Sequence, residues 1–102
     1  MKLRYAPEAL KNIADLRQYI GETLANPTAA ERIAASIMHS CSRLKFFPES
    51  GFSLQARTGY DTDLRVLVCG NYLAVYRIEN GCITVVRVIN GRQDYLADLL
   101  DM

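Results

Sequence analysis

The chain of 102 residues has no tryptophan, a single histidine at His39, and three cysteines, Cys41, Cys69 and Cys82, with no Cys-x-x-Cys spacing. A structural zinc site needs four ligands at short spacing, so no metal site and no metal cofactor is expected. The odd cysteine count, without a paired framework, points to small buried apolar residues in a reducing compartment rather than to disulfides. No run approaches the roughly 20 apolar residues of a membrane span. The opening MKLRYAPEAL lacks the apolar segment of a secretory signal, so a cytoplasmic protein without membrane contact is expected. There is also no excess of charge: 12 Lys and Arg stand against 11 Asp and Glu, for a net charge of +1. A protein that lives on phosphate contacts usually carries a clear positive excess, which weighs against a general nucleic-acid binder.

Conventional catalytic constellations are missing as well. No Ser-His-Asp or Cys-His arrangement suggests itself, Asp61 and Asp63 flank Thr62 in a stretch suited to turns, and no glycine loop ends in Lys-Ser or Lys-Thr.

What is present is a strong pattern. With 50% apolar and 23% charged residues, the composition is that of a globular protein, and the length suits one domain over residues 1–102. Residues 2–5 read as a short strand. Pro7 then opens a helix at a position where its missing N–H has no partner to lose. Ile13, Leu16, Ile20 and Leu24 recur at spacings of three and four, giving that helix one apolar face. Asn26-Pro27 signals an N-cap and first turn of a second helix, along which Ala30, Ile33, Ile37, Cys41 and Leu44 repeat the pattern. The two segments form an antiparallel helical hairpin.

Residues 49–63 are rich in Pro, Gly, Ser, Thr and Asp and read as an irregular loop. Three strands follow at 64–68, 72–78 and 82–89, separated by the turn signals Gly70-Asn71 and Asn80-Gly81. A last helix is expected over 93–100, with Leu96, Leu99 and Leu100 on one side. The predicted fold is α+β, in the order β-α-α-β-β-β(-α). The hairpin packs on one face of a small antiparallel sheet of four strands, which the first strand joins at an edge or in the middle, and the other face stays partly open.

Nine of the 12 basic residues are arginine, and five of them, Arg57, Arg65, Arg77, Arg87 and Arg92, fall in the second half. Arginine suits bidentate pairing and protein interfaces. Strict alternation places Arg87 on the side of Ile83, Val85 and Ile89, where it either pairs with Asp94 or Asp98 or joins Arg65 in a cationic spot on the open face. The segment RVINGRQDY brings Arg87, Arg92 and Tyr95 together around Gly91.

Taken in register, Y-A-P-E-A-L-x-x-I-x-x-L, N-P-x-A-A-x-R-I, F-P-E-S-G, D-L-R-V-L, N-Y-L-A-V-Y-R-I and V-R-V-I-N-G-R-Q-D-Y resemble the RelE/ParE superfamily of bacterial toxins. The resemblance spans nearly the whole chain. It implies a cytoplasmic growth-inhibiting toxin of a type II toxin-antitoxin pair, neutralised by an antitoxin whose flexible segment wraps it. The terminal N-G-R-Q-D-Y is similar to the H-G-R-R-D turn of the ParE branch, whose members act on DNA gyrase by direct binding, without catalysis of their own and without a cofactor. On that branch, Arg57, Arg65, Arg87, Arg92 and Tyr95 are the expected target contacts. The apolar residues Ile13, Leu16, Ile20, Leu24, Ile33 and Ile37 are then the expected seat of a ParD-like antitoxin, through which alone the toxin would reach operator DNA. The RelE branch implies instead a ribosome-dependent mRNA endoribonuclease using Arg65, Arg87 and Tyr95. A third reading is a toxin fold that binds its partner and has lost toxicity.

Overall fold

The computed structural model describes residues 1–91 and Leu99. Strand β1 (Lys2–Tyr5) leads into helix α1 (Pro7–Gln18), which widens into a π-helical turn at Tyr19–Thr23. Pro7 occupies the first turn as expected. The wide turn is closed by the Leu24 N–H on the Tyr19 carbonyl at 3.0 Å and the Asn26 N–H on the Ile20 carbonyl at 3.0 Å. Helix α2 (Pro27–Ser42) begins at Asn26, whose side chain accepts from the Ala29 N–H at 3.1 Å and satisfies one of the open donors of the first turn. A single 3-10 turn, Arg43–Lys45, ends the hairpin.

The segment expected to be an irregular loop contains two short elements, strand β2 (Phe52–Ser53) and helix α3 (Leu54–Thr58). Ser53 caps α3 by accepting from the Ala56 N–H at 3.2 Å, and Gly59 ends it in the left-handed region at φ 80°. A one-turn helix built by its two caps leaves too little periodicity to stand out among Gly, Thr and Asp. Strands β3 (Arg65–Cys69), β4 (Tyr72–Glu79) and β5 (Cys82–Asn90) form the expected meander. Both Asn80 and Gly81 take positive φ, at 54° and 72°, as the tight turn from β4 to β5 requires.

The sheet has five strands rather than four, in the order β1-β5-β4-β3-β2. It is mixed rather than wholly antiparallel: β1 lies at one edge, parallel to β5, with Leu3 opposite Ile83 and Tyr5 opposite Val85. Two apolar clusters sandwich it. On the hairpin side, Ala9, Ile13, Ile37, Cys41 and Leu44 pack against Ala74, Tyr76, Ile83, Val85 and Val88. On the other side, Leu54, Leu64, Val66, Leu73, Val75, Ile89 and Leu99 form a second core. The face expected to stay partly open carries this second core. Leu54 and Phe52, from the supposed loop, do part of the covering, together with Leu99. Leu99 is helical and buried; the rest of the expected last helix lies outside the described residues.

A bulge corrects the expected face of Arg87. Val75 lies opposite Arg87 and Tyr76 opposite Val85, so Val86 is one residue too many for its partner strand. A bulge interrupts alternation. Ile83 and Val85 face the hairpin, whereas Val75, Val86 and Ile89 belong to the second core. Arg87 starts from the face away from the hairpin.

Candidate functional site

Strand β1 pairs with β5 only as far as Val85, which leaves the remainder of β5 as a free edge beside α1. The Val88 N–H points to that edge and donates to Asn12 Oδ1 at 3.0 Å. Asn12 sits three residues after Ala9 and four before Leu16, a polar residue in the apolar stripe of α1. It supplies the partner that a neighbouring strand would have given.

This junction opens into a groove of about 580 Å³ lined by Asn12, Asp15, Leu16 and Tyr19 from the hairpin, by Tyr72, and by Arg87 to Asn90 of β5. Arg87 is half-buried, and its Nε has no hydrogen-bond partner among the described residues. A guanidinium nitrogen held out of water without an acceptor favours any carboxylate or carbonyl a partner brings. Asp15 on the opposite wall makes an exposed pair with Lys11 at 3.6 Å. Among the described residues the groove thus offers one cation, a tyrosine pair and an apolar wall.

The other expected arginines go elsewhere. Arg65 lies opposite Tyr76 on the hairpin face, and its Nη2 donates to the carbonyls of Glu49 at 3.1 Å and Gly51 at 2.6 Å. The Tyr76 hydroxyl accepts from the Gly51 N–H at 3.0 Å and donates to the Pro48 carbonyl at 2.7 Å. Together they pin the chain between α2 and β2. Arg65 and Arg87 start from opposite faces of the sheet, so the cationic spot expected from the pair does not form. Arg77 pairs with Asp63 at 3.3 Å. Arg57 covers the Phe52 ring at 4.0 Å from its centroid, protecting the second core. Arg92 and Tyr95 lie outside the described residues.

Of the six apolar residues expected to seat an antitoxin, Ile13, Ile20 and Ile37 are buried. They fill the space within the hairpin and between hairpin and sheet, and are closed to a partner. Leu16 and Ile33 are half-buried, and Leu24 is 56% exposed. A stripe at helical spacing marks the core-facing side. Among the groove residues that the pattern did not single out are Asn12, Asp15, Tyr19 and Tyr72; the signal for Asn12 was its polarity inside the stripe.

His39 is exposed. Among the described residues no group of three or more His, Cys, Asp or Glu side chains could hold a metal ion, and no helix is long and apolar enough to cross a membrane. All three cysteines are free, with Cys41 and Cys69 buried and Cys82 half-buried. Cys41 lies beside Cys69, and hydrogen bonding to it together with burial pushes the Cys41 thiol up. Burial, reinforced by Cys41, likewise raises the Tyr5 phenol. Both groups stay neutral and serve as core.

Residues 3–95 match the family described as ParE toxin of type II toxin-antitoxin system, parDE. Among solved structures, the chain is similar to one in "Chromosomal ParDE TA system from P. aeruginosa", with a TM-score of 0.74 and 16% sequence identity. That likeness covers 88% of this chain and 95% of the other. No curated protein sequence matches.

Proposed function

Since the chain belongs to the family of ParE toxins of type II toxin-antitoxin systems, we propose that it arrests growth by binding DNA gyrase directly and is neutralised by a ParD-like antitoxin. The observation that carries this reading is the fate of the arginines. An mRNA nuclease built on Arg65, Arg87 and Tyr95 needs its cations converging on one phosphate. Here Arg65 is spent on the Glu49 and Gly51 carbonyls, on the opposite face from Arg87. A net charge of +1 likewise gives little of the phosphate attraction that docking on ribosomal RNA draws on.

The α1–β5 groove fits a protein partner. An amphipathic antitoxin segment would lay its apolar side on Leu16, Tyr19 and Tyr72, and bring an acceptor to Arg87. Leu24 and Ile33 extend the contact along the hairpin, while Ile13, Ile20 and Ile37 support it from the core. Arg57, Arg92 and Tyr95 remain target contacts in this proposal, and the protein acts in the cytoplasm, where gyrase is. Operator DNA is reached only through the antitoxin.

The test adds purified, antitoxin-free protein to gyrase, plasmid DNA and ATP, and scores supercoiling and trapped cleavage complexes. Inhibition or accumulation of linear DNA is the expected result. Folded protein without effect on gyrase, but with mRNA cleaved in translating extracts, would replace this reading by the endoribonuclease one.

A further inference from the structure

Strand β3 is an edge for part of its length. It pairs with β2 only through Val66 and Arg65. The Leu54 N–H bonds the Leu64 carbonyl at 3.0 Å, so residues 64, 66 and 68 direct their backbone groups to the β2 side. Val66 meets Phe52 there. The residue that would meet Val68 is Ser50, but the chain leaves the sheet plane at Gly51, whose N–H is taken by the Tyr76 hydroxyl. Arg65 and Tyr76 fix that departure. Among the described residues, nothing pairs with the outward N–H and C=O of Val68.

Natural edges are usually blunted by charge, proline or a covering loop. Here the edge residue is a β-branched one, with Val68 60% exposed. Phe46 and Phe47 beside it are 76% and 63% exposed. Phe47 and Ser50 join two hollows. One of about 320 Å³ is walled by Ser40, Arg43, Leu67 and Val68, and one of about 490 Å³ runs over Phe46, Pro48 and Glu49. Arg43 and Lys45 are exposed and make no ion pair among the described residues. Among the described residues, Glu49 is the acidic side chain lining these hollows.

We propose that this edge is a docking site for a short extended segment of a protein partner that alternates apolar and acidic residues, lying beside Val68 in the place Ser50 leaves vacant. Two backbone hydrogen bonds to Val68 set the register. A partner side chain on the far face packs on the Val68 side chain. Its sequence neighbours turn to the hairpin face, where Leu67 points, and place a carboxylate in the hollow at Arg43. Steric room limits the added strand to about three residues, since Phe52 closes the row at Val66. The surface is separate from the α1–β5 groove, and the proposal stands whether or not gyrase is the target.

The experiment titrates isotope-labelled protein with the capped peptides Val-Asp-Val-Asp-Val, Val-Lys-Val-Lys-Val and Val-Asp-Pro-Asp-Val, following amide shifts and exchange. The acidic peptide should shift Val68, Leu67 and Phe47 and slow exchange of the Val68 amide at least several-fold. The lysine and proline peptides should leave it unchanged. Arg43→Glu, at an exposed position whose side chain makes no ion pair among the described residues, should reverse the preference in favour of the lysine peptide. Absence of a Val68 response at millimolar peptide, equal response to all three, or an Arg43→Glu protein with unchanged preference would each overturn the proposal.

Discussion

Tyr76→Phe removes one oxygen atom and tests how the chain around Gly51 is held. The hydroxyl is buried with its ring, accepts from the Gly51 N–H at 3.0 Å and donates to the Pro48 carbonyl at 2.7 Å. Phenylalanine fills the same space, so the loss is confined to these two bonds. Gly51 is buried, so its N–H loses its partner when the hydroxyl is removed. An unsatisfied buried donor costs roughly 1–3 kcal/mol, and the part-buried Pro48 carbonyl adds to it, so we expect a loss of about 2 kcal/mol. For a domain of this size that corresponds to a fall in Tm of roughly 10 °C. Urea unfolding should show a lower midpoint at an unchanged slope, because the surface exposed on unfolding is the same. Gly51→Ala should be at least as damaging, since its Cβ meets the Val66 carbonyl oxygen at 2.6 Å and the buried Tyr76 ring at 2.8 Å. A Tyr76→Phe protein within about 2 °C of the parent would refute the reasoning. It would mean that the Arg65 bonds to Glu49 and Gly51 hold the segment alone.

The other predictions concern the hairpin and the core. Asn26→Ala deletes the cap on the Ala29 N–H and should lower stability by about 1 kcal/mol in chemical denaturation, with Asn26→Asp retaining most of it. Ile37→Ala empties a fully buried position between α2 and the sheet, and should lose on the order of 2–5 kcal/mol, read from the same urea curves. Tyr5 is held neutral in the fold above its ordinary value of 10.0. The unfolded chain therefore releases this proton first, and the stability it contributes should be intact at neutral pH and decline as pH rises past 10. Tyr5→Phe should flatten the decline above pH 10, and a urea midpoint that stays constant up to pH 11 in the parent would contradict the assignment.

Local signals wrote much of this fold into the sequence. Pro7, Asn26-Pro27 and Asn80-Gly81 act through φ restriction, capping and positive φ, which neighbours along the chain decide, and each appears where its chemistry placed it. The apolar stripes of the hairpin were legible for the same reason, as was the order of elements. Their meaning was less so: periodicity marks the buried side of a helix, and Ile13, Ile20 and Ile37 are therefore core, while the α1–β5 groove is lined in part by Asn12, Tyr19 and Tyr72. Family resemblance reached the toxin superfamily from motifs in register, and the match over residues 3–95 agrees.

Only the tertiary structure decided the rest. The bulge at Val86 falls where β5, paired with β4 on one side, exchanges β1 for α1 as its neighbour on the other. No residue pattern within the strand announces it, yet it sets the face from which Arg87 starts. Arg65 likewise reads as a free cation in D-L-R-V-L and becomes a loop anchor because carbonyls 14 and 16 residues away lie within reach. Side-chain type and local spacing are properties of the chain alone. Which unpaired edge, buried carbonyl or open hollow a side chain meets is fixed by contacts between distant segments, and those come into being only when the sheet closes over the hairpin.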